Sequence, residues 1–419
     1  MISAAWIRRI GEIFLWHGGF RFLALGSAVW AARCLGPYKL GISGMIQASC
    51  AQLVLLICLN QDNALIRTFK ADSSPDLRRS LIDETVSFRL FACLAAGAAA
   101  LVVCLFGNID PNWRLPLAAG IPLLFAHVNQ PLWLLQARDK TVINYRLGAF
   151  QGVLIFLGYV IFIRPGAEAG YDVLLQGCGM GIAALLGWTF ALDGLPARVT
   201  FRNAMRMFGR IWENRWLAVS GIAIYIYTAA SLPLLGYFGR LEEAGEYRTA
   251  MMMAGIVQQA NSLIFVVLYP KFIDWHRQDP LLLWHRQCQI AKLLAVALLP
   301  VVAALFFVLP RIYPYLFGAE YSAAAYPCAL LITSKCIVMI SGVFSFGLWA
   351  QSRDRALALL VVVTAVFSLL ANLSTIPRFG MLGCATVDLL CEGIIFVTAI
   401  TLAYRPILTL SRERGSETP

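Results

Sequence analysis

Apolar residues run along this chain in long unbroken blocks, with no sustained alternation between an apolar and a polar face. Nine stretches contain no Asp, Glu, Lys or Arg: residues 40–61, 90–109, 115–137, 147–163, 173–192, 216–239, 249–270, 293–310 and 356–377. A hydrocarbon core of about 30 Å, crossed at 1.5 Å per residue, needs about 20 such residues. Each stretch therefore predicts a membrane-spanning helix. Three more stretches carry charge within the apolar run: 13–32 with Arg21, 323–350 with Lys335, and 379–404 with Asp388 and Glu392. The pattern predicts an all-α integral membrane protein with twelve transmembrane helices. Arg21 in the middle of the first stretch, and the lack of a clean small-residue cleavage site, argue against a signal peptide.

The polar connections give the orientation. With the N-terminus in the cytoplasm, 23 Lys and Arg fall in inside segments and 7 in outside loops, as the positive-inside rule requires. Both termini are then cytoplasmic. The longest inside connections are 67–89 and 193–215. In the second, Arg198, Arg202, Arg206 and Arg210 recur every four residues. That spacing predicts a helix with a basic stripe, and Phe201, Ala204, Met205, Phe208 and Trp212 predict an apolar face lying in the membrane interface. This elbow divides the chain into an N-terminal lobe (1–193), an amphipathic linker (194–215), a C-terminal lobe (216–404) and a tail (405–419), disordered from Ser411. The halves echo one another. The Gly-bearing outside turn at 33–41 follows the first span, and a similar turn at 235–245 follows the seventh. Such duplication is common among transporters.

Composition excludes a soluble fold. Hydrophobic residues are 59% and charged residues 14%, against about 45–50% and about 25% in soluble domains, and mean hydropathy is +0.71. The net charge of +11 reads as topology signals and contacts with anionic headgroups rather than nucleic-acid binding. The 11 cysteines include no Cys-x-x-Cys pair and lie mostly in apolar runs, where cysteine acts as a small hydrophobe. The four histidines are scattered, and no metal site is expected. There is no phosphate-binding loop of the ATPase type. Gly177-Cys-Gly-Met-Gly181 lies inside the sixth span, where small residues allow close helix packing. No outside loop is long enough for a catalytic domain, so a transporter is expected rather than an enzyme.

The candidate chemistry is charge inside the membrane, which usually faces a cavity. Arg21 lies too deep to snorkel easily. Lys335 sits in the outer to middle part of the tenth span, Arg248 begins the eighth at the outer side, and Arg89 begins the third at the inner side. Asp388 and Glu392, at i and i+4, share one helix face. They form either a proton or cation site, or a partner for Lys335 on a neighbouring helix. Asn129, Gln258 and Asn261 add polar groups to a wet interior. Pro122, Pro131, Pro233 and Pro300 can break or bend their helices.

Several short motifs resemble those of polysaccharide flippases. Ala31-Ala-Arg-Cys-Leu-Gly-Pro-Tyr-Lys-Leu-Gly41 is similar to the turn after their first helix, and Gly245-Glu-Tyr-Arg-Thr-Ala250 to their seventh-to-eighth turn. Tyr269-Pro270, Leu316-Phe-Gly-Ala-Glu-Tyr-Ser-Ala-Ala324, and Asn372 to Gly380 followed by Gly383-Cys-Ala385, are similar to later motifs in the same order. The chain thus resembles the multidrug/oligosaccharidyl-lipid/polysaccharide (MOP) exporter superfamily, in its O-antigen or exopolysaccharide flippase branch. The resemblance implies two six-helix lobes forming a V-shaped central cavity lined by helices 1, 2, 7 and 8. It implies a polyprenyl-diphosphate-linked oligosaccharide as cargo, moved across the bacterial inner membrane by alternating access. A diphosphate needs cationic partners in hydrocarbon, which makes Arg21, Arg248, Lys335 and Arg89 candidate diphosphate-binding residues. Asp388 and Glu392 are the candidates for coupling to a proton or sodium ion, with no other cofactor. Membrane lipids, a polysaccharide polymerase and other assembly proteins are the implied partners. The alternatives are a cation-coupled multidrug antiporter of the sister branch, and a membrane polysaccharide polymerase or ligase.

Overall fold

The structure, a computed structural model, describes residues 4–59, 61–71, 74–192, 197–213, 215–351 and 353–416. The side chains of Arg21, of most residues before Trp16 and of all residues after Tyr404 lie outside the described residues. Among the described residues every regular element is helical. In chain order they are α1 (Ala4–Cys58), α2 (Asp62–Ala71), α3 (Pro75–Phe106), α4 (Pro111–Val128), α5 (Leu132–Ala137), α6 (Thr141–Phe162) and α7 (Ala169–Leu192). These are followed by α8 (Phe201–Glu213), α9 (Arg215–Ala229), α10 (Ser231–Tyr237), α11 (Leu241–Gln278) and α12 (Pro280–Phe317). A 3-10 turn (Ala319–Ala324), α13 (Ala325–Ala350) and α14 (Asp354–Ser416) complete the chain.

The starts follow local chemistry. Ser74, Asp110 and Asp279 each cap a helix with the side chain, and each is followed by a proline, whose missing N–H costs nothing in the first turn. The twelve apolar stretches all fall on helices. Seven helical segments among the described residues are long and apolar enough to cross a membrane. Two of the stretches share α1, which kinks at Gly36 (φ 72°), and two share α14, which kinks at Gly380 (φ 55°). The stretch 115–137 is broken at Asn129–Pro131 between α4 and α5, because Pro131 supplies no N–H to continue the ladder. Large apolar side chains such as Phe106, Leu293, Val296, Leu299 and Phe307 are exposed, as lipid-facing positions would be. The tail differs from expectation. The helix runs on to Ser416, since no Gly or Pro interrupts 407–414.

The chain divides into two compact units, 1–225 and 226–419, with the boundary inside α9. In the first unit α1 packs on α6, α4 on α7 and α3 on α8. Ile46, Cys50, Cys93, Leu123, Leu124 and Val173 form one buried cluster. The Gly177–Gly181 run lies at a close helix approach. A Cβ at Gly177 would come within 2.9 Å of the Leu123 backbone nitrogen, and one at Gly179 within 2.5 Å of Ile155. In the second unit α13 is central, packed on α14, α11 and α12, with Phe265, Phe272, Val343, Phe344 and Leu348 in its core.

Each unit ties two of its turns together. In the first, Lys39 Nζ donates to the carbonyls of Gly166 (2.9 Å) and Ala167 (2.8 Å), and Trp30 Nε1 donates to Ile163 O. In the second, Arg240 Nη2 donates to Pro377 O (2.9 Å), and Glu243 Oε2 accepts from Met381 N (2.9 Å). Gly36 and Gly239, both at positive φ, stand in the two turns that the sequence reads as echoes.

The linker helix α8 starts at Phe201, capped by Thr200 Oγ1, which accepts from Asn203 N. Arg198, expected on the helix stripe, lies before it, and its backbone N–H donates to Asp83 Oδ1 (2.8 Å). The expected apolar face divides in two. Ala204 is buried together with Met207 and Ile211, while Phe201, Met205, Phe208 and Trp212 are exposed. Arg210 Nε bonds Glu84 at 2.6 Å. These contacts attach the linker to α3 and place it in the first unit.

Candidate functional site

Of the places where charge is buried among the described residues, three bear on the candidate chemistry. In the second unit, Lys335 on α13 faces Asp388 on α14. Its Nζ lies 3.0 Å from Asp388 Oδ2 and 3.4 Å from Oδ1. Ser334, the preceding residue, donates its hydroxyl to Asp388 Oδ2 at 2.5 Å. Glu392, one turn along α14, is buried and acts electrostatically on both Lys335 and Asp388. The hydroxyl of Tyr227 lies within electrostatic reach of both carboxylates. The pairing left open by the sequence therefore exists: Lys335 is the partner of Asp388. Charges this deep persist only when matched and hydrogen-bonded.

In the first unit, Arg89 on α3 is buried and ion-paired with Asp62 at the start of α2. It also donates to Val128 O at the end of α4. Its charge is matched where it stands. Arg21 falls on α1, and its side chain is outside the described residues. Arg248 is buried near the start of α11, within electrostatic reach of Tyr321.

A third cluster is one that the sequence reading missed. Asp172, at the start of α7, is fully buried. It accepts from Tyr159 OH on α6, from Gln47 Nε2 on α1 (3.1 Å) and from Gln176 Nε2 one turn on (3.2 Å). The available signal was the i, i+4 pair Asp172–Gln176 at the edge of an apolar run. The charge-free stretch begins at Val173, one residue after this acid, so run length alone places Asp172 in the loop.

The polar lining candidates separate. Asn129 ends α4, donating its side-chain amide to Phe125 O and accepting from Trp188 at its carbonyl. Asn261 on α11 is buried, with its side-chain oxygen lacking a hydrogen bond. Gln258, one turn earlier, is half-buried. Among the described residues no group of three His, Cys, Asp or Glu is placed to hold a metal ion. The arrangement pairs Lys335 with Asp388 in the second unit and Arg89 with Asp62 in the first.

A family model described as polysaccharide biosynthesis protein matches residues 8–276. The chain is 22% identical over 259 residues to the probable low-salt glycan biosynthesis flippase Agl15 of Haloferax volcanii. That match takes in 60% of this chain and 50% of the relative, so the chain spans about half the length of the curated relative it matches. Among solved structures, the lipid II flippase MurJ in an inward closed conformation aligns with a TM-score of 0.73 at 12% identity, over 93% of this chain and 86% of that one. An inward-facing multidrug resistance MATE family transporter of the MOP superfamily aligns with a TM-score of 0.70 at 12% identity, over 94% and 96%. At such identities the likeness is one of fold, which this chain shares with both structures.

Proposed function

Because the chain belongs to the polysaccharide biosynthesis protein family, we propose that it flips a lipid-linked oligosaccharide across the membrane. The cargo is an O-antigen, capsule or exopolysaccharide repeat unit on a polyprenyl diphosphate, moved from the cytoplasmic to the outer leaflet by alternating access. The observation that carries this reading is the Lys335–Asp388 pair. It holds a positive charge among apolar helices, matched by a buried carboxylate.

A diphosphate entering hydrocarbon needs cationic donors, whose bonds to phosphate are about twice as strong as neutral ones. Lys335 can serve only when Asp388 lets go. A proton taken up by the Asp388 and Glu392 carboxylates together would weaken their hold and let the ammonium turn to the cargo. Release of the diphosphate and loss of the proton restore the pair. Glu392, on the same face, keeps a second carboxylate within reach of the same ammonium. Arg21, near the middle of its apolar stretch, would be the second cation on the path. Arg89 has its charge satisfied by Asp62, so its role in this scheme is structural. The membrane is the cytoplasmic one, with both termini on the inner side. A polysaccharide polymerase and other assembly proteins would take up the product.

The test is restoration of surface polysaccharide in a flippase-null strain, with membrane levels checked by immunoblot. Arg21→Lys keeps the charge but loses the planar fork and should restore part of the polysaccharide. Arg21→Ala should restore none at equal protein level. Asp388→Asn with Glu392→Gln should make transport independent of the proton gradient. The triple neutral variant Lys335→Gln/Asp388→Asn/Glu392→Gln serves as a control for folding, because it removes the buried ammonium together with both carboxylates around it. Full polysaccharide from Arg21→Ala would remove Arg21 from the path. An undiminished gradient dependence would make the carboxylates structural. A wild-type chain that restores no polysaccharide but exports cationic drugs would replace the reading with that of an antiporter.

A further inference from the structure

A cavity of 380 Å³ opens at the C-terminal ends of α11 and α13, within the roughly 300–1,000 Å³ of small-ligand sites. Tyr269, His276 and Arg277 line it from α11, and Trp349 and Gln351 from the end of α13. None of these residues belongs to the charge clusters described above.

Two observations point to a ligand. The first is a set of aromatic rings. Phe265 stacks on Phe346 at 4.3 Å between ring centres, and Trp349 and Tyr269 meet Phe346 edge-on at 4.9 and 5.8 Å. Phe346 thus fixes both rings that face the cavity, and Trp349 keeps 43% of its surface exposed. The second is His276 Nδ1, which is buried without a hydrogen-bond partner. A buried polar atom left unsatisfied calls for an explanation, and His276 is among the residues that line the cavity.

The electrostatics narrow the ligand. Two helices end here, and helix C-termini carry partial negative charge and free carbonyls. That setting disfavours a phosphate and favours hydroxyl groups, which can donate to carbonyls and accept from Arg277. A pyranose ring has this combination, with an apolar C–H face and a rim of hydroxyls. Tyr and Trp offer a flat apolar face with a polar handle, matched to such a ring. We propose that this cavity is a subsite for one pyranose ring of the glycan cargo, with Trp349 and Tyr269 against the ring face and His276, Arg277 and Gln351 on its hydroxyls. The proposal rests on the flippase reading and adds where the sugar, as opposed to the diphosphate, is held.

The test uses the full chain in detergent and saturation-transfer NMR. The probes are monosaccharides released by acid hydrolysis of the surface glycan of the cells that carry this protein, with inorganic phosphate as competitor. Wild type should transfer saturation to the ring protons of at least one sugar, and excess phosphate should not displace it. Trp349→Ala and His276→Ala should lower the apparent affinity about tenfold. Trp349→Phe, which keeps an aromatic face and reports on folding, should retain it. Three results would overturn the subsite: no transfer to any released sugar, equal signals from the alanine variants, or displacement by phosphate. If wild type still restores surface polysaccharide while any of these holds, the subsite alone fails. If it restores none, the flippase reading fails with it.

Discussion

Glu246 sits one turn into α11, close to Glu242 and Glu243, before the spanning stretch 249–270. Its Oε2 is buried without a hydrogen bond. Burial first, and the charges of Glu243 and Glu242 second, push its carboxyl up to about 7. A carboxyl raised in the folded state binds more protons there than in the unfolded chain. Its contribution to stability is therefore fully present in the ordinary carboxylate range and below. It falls as pH rises toward about 7 and levels off above. Glu246→Gln should raise the thermal midpoint of the purified protein at pH 8 and leave it almost unchanged at pH 5. Equal shifts at both values would mean that the carboxyl does not titrate in this window. The sequence shows three acids in five residues, but it cannot show which one is packed away from water. The same limit applied to Lys335 and Asp388. Their types and depths were legible, while their 3.0 Å approach across more than fifty residues of chain depends on how α13 and α14 pack.

At the scale of elements, apolar run length was enough to place helices at all twelve stretches, because the hydrocarbon core dictates that length. Breaks and starts were less legible. Asn129–Pro131 divides one stretch because of a single missing N–H. Arg198 falls off the linker helix because Thr200 caps it two residues later, and Asp83 claims its backbone. The turn at Gly380 shows what such local geometry demands. Its φ of 55° with ψ of −134° suits glycine and almost nothing else. A Cβ there would also run into the Glu243 carboxylate that accepts from Met381 N. Gly380→Ala should destabilise the protein by about 1–3 kcal/mol from backbone strain alone, read as a lower midpoint in a thermal-shift assay in detergent. Glu243→Ala in the same background, which removes the Glu243 atoms that a Cβ at position 380 would meet, should recover part of the loss if that clash matters. No recovery would assign the whole effect to the backbone.

For the whole molecule, the loop asymmetry in Lys and Arg predicts sidedness. Reporter fusions within 107–112 and 242–245 should report the outside, and fusions within 72–76 the inside. One reversed reporter would break the alternation of all later spans. The turns at 33–41 and 235–245 resemble one another in sequence, and each unit closes its own turn with its own side chains. The Lys39 tie also has a consequence in time. Its acceptor carbonyls lie 127 and 128 residues downstream. At synthesis rates of about 5–20 residues per second, the ammonium waits roughly 6–25 s before its partners exist. During that interval the first two spans are a hairpin with an unanchored tip, held only by lipid headgroups and any insertion machinery beside it. The first unit can then lock while the second is still unmade. A nascent chain stalled within 100–160 should accordingly expose Lys39 to amine-reactive reagents, and one stalled beyond α7 should protect it.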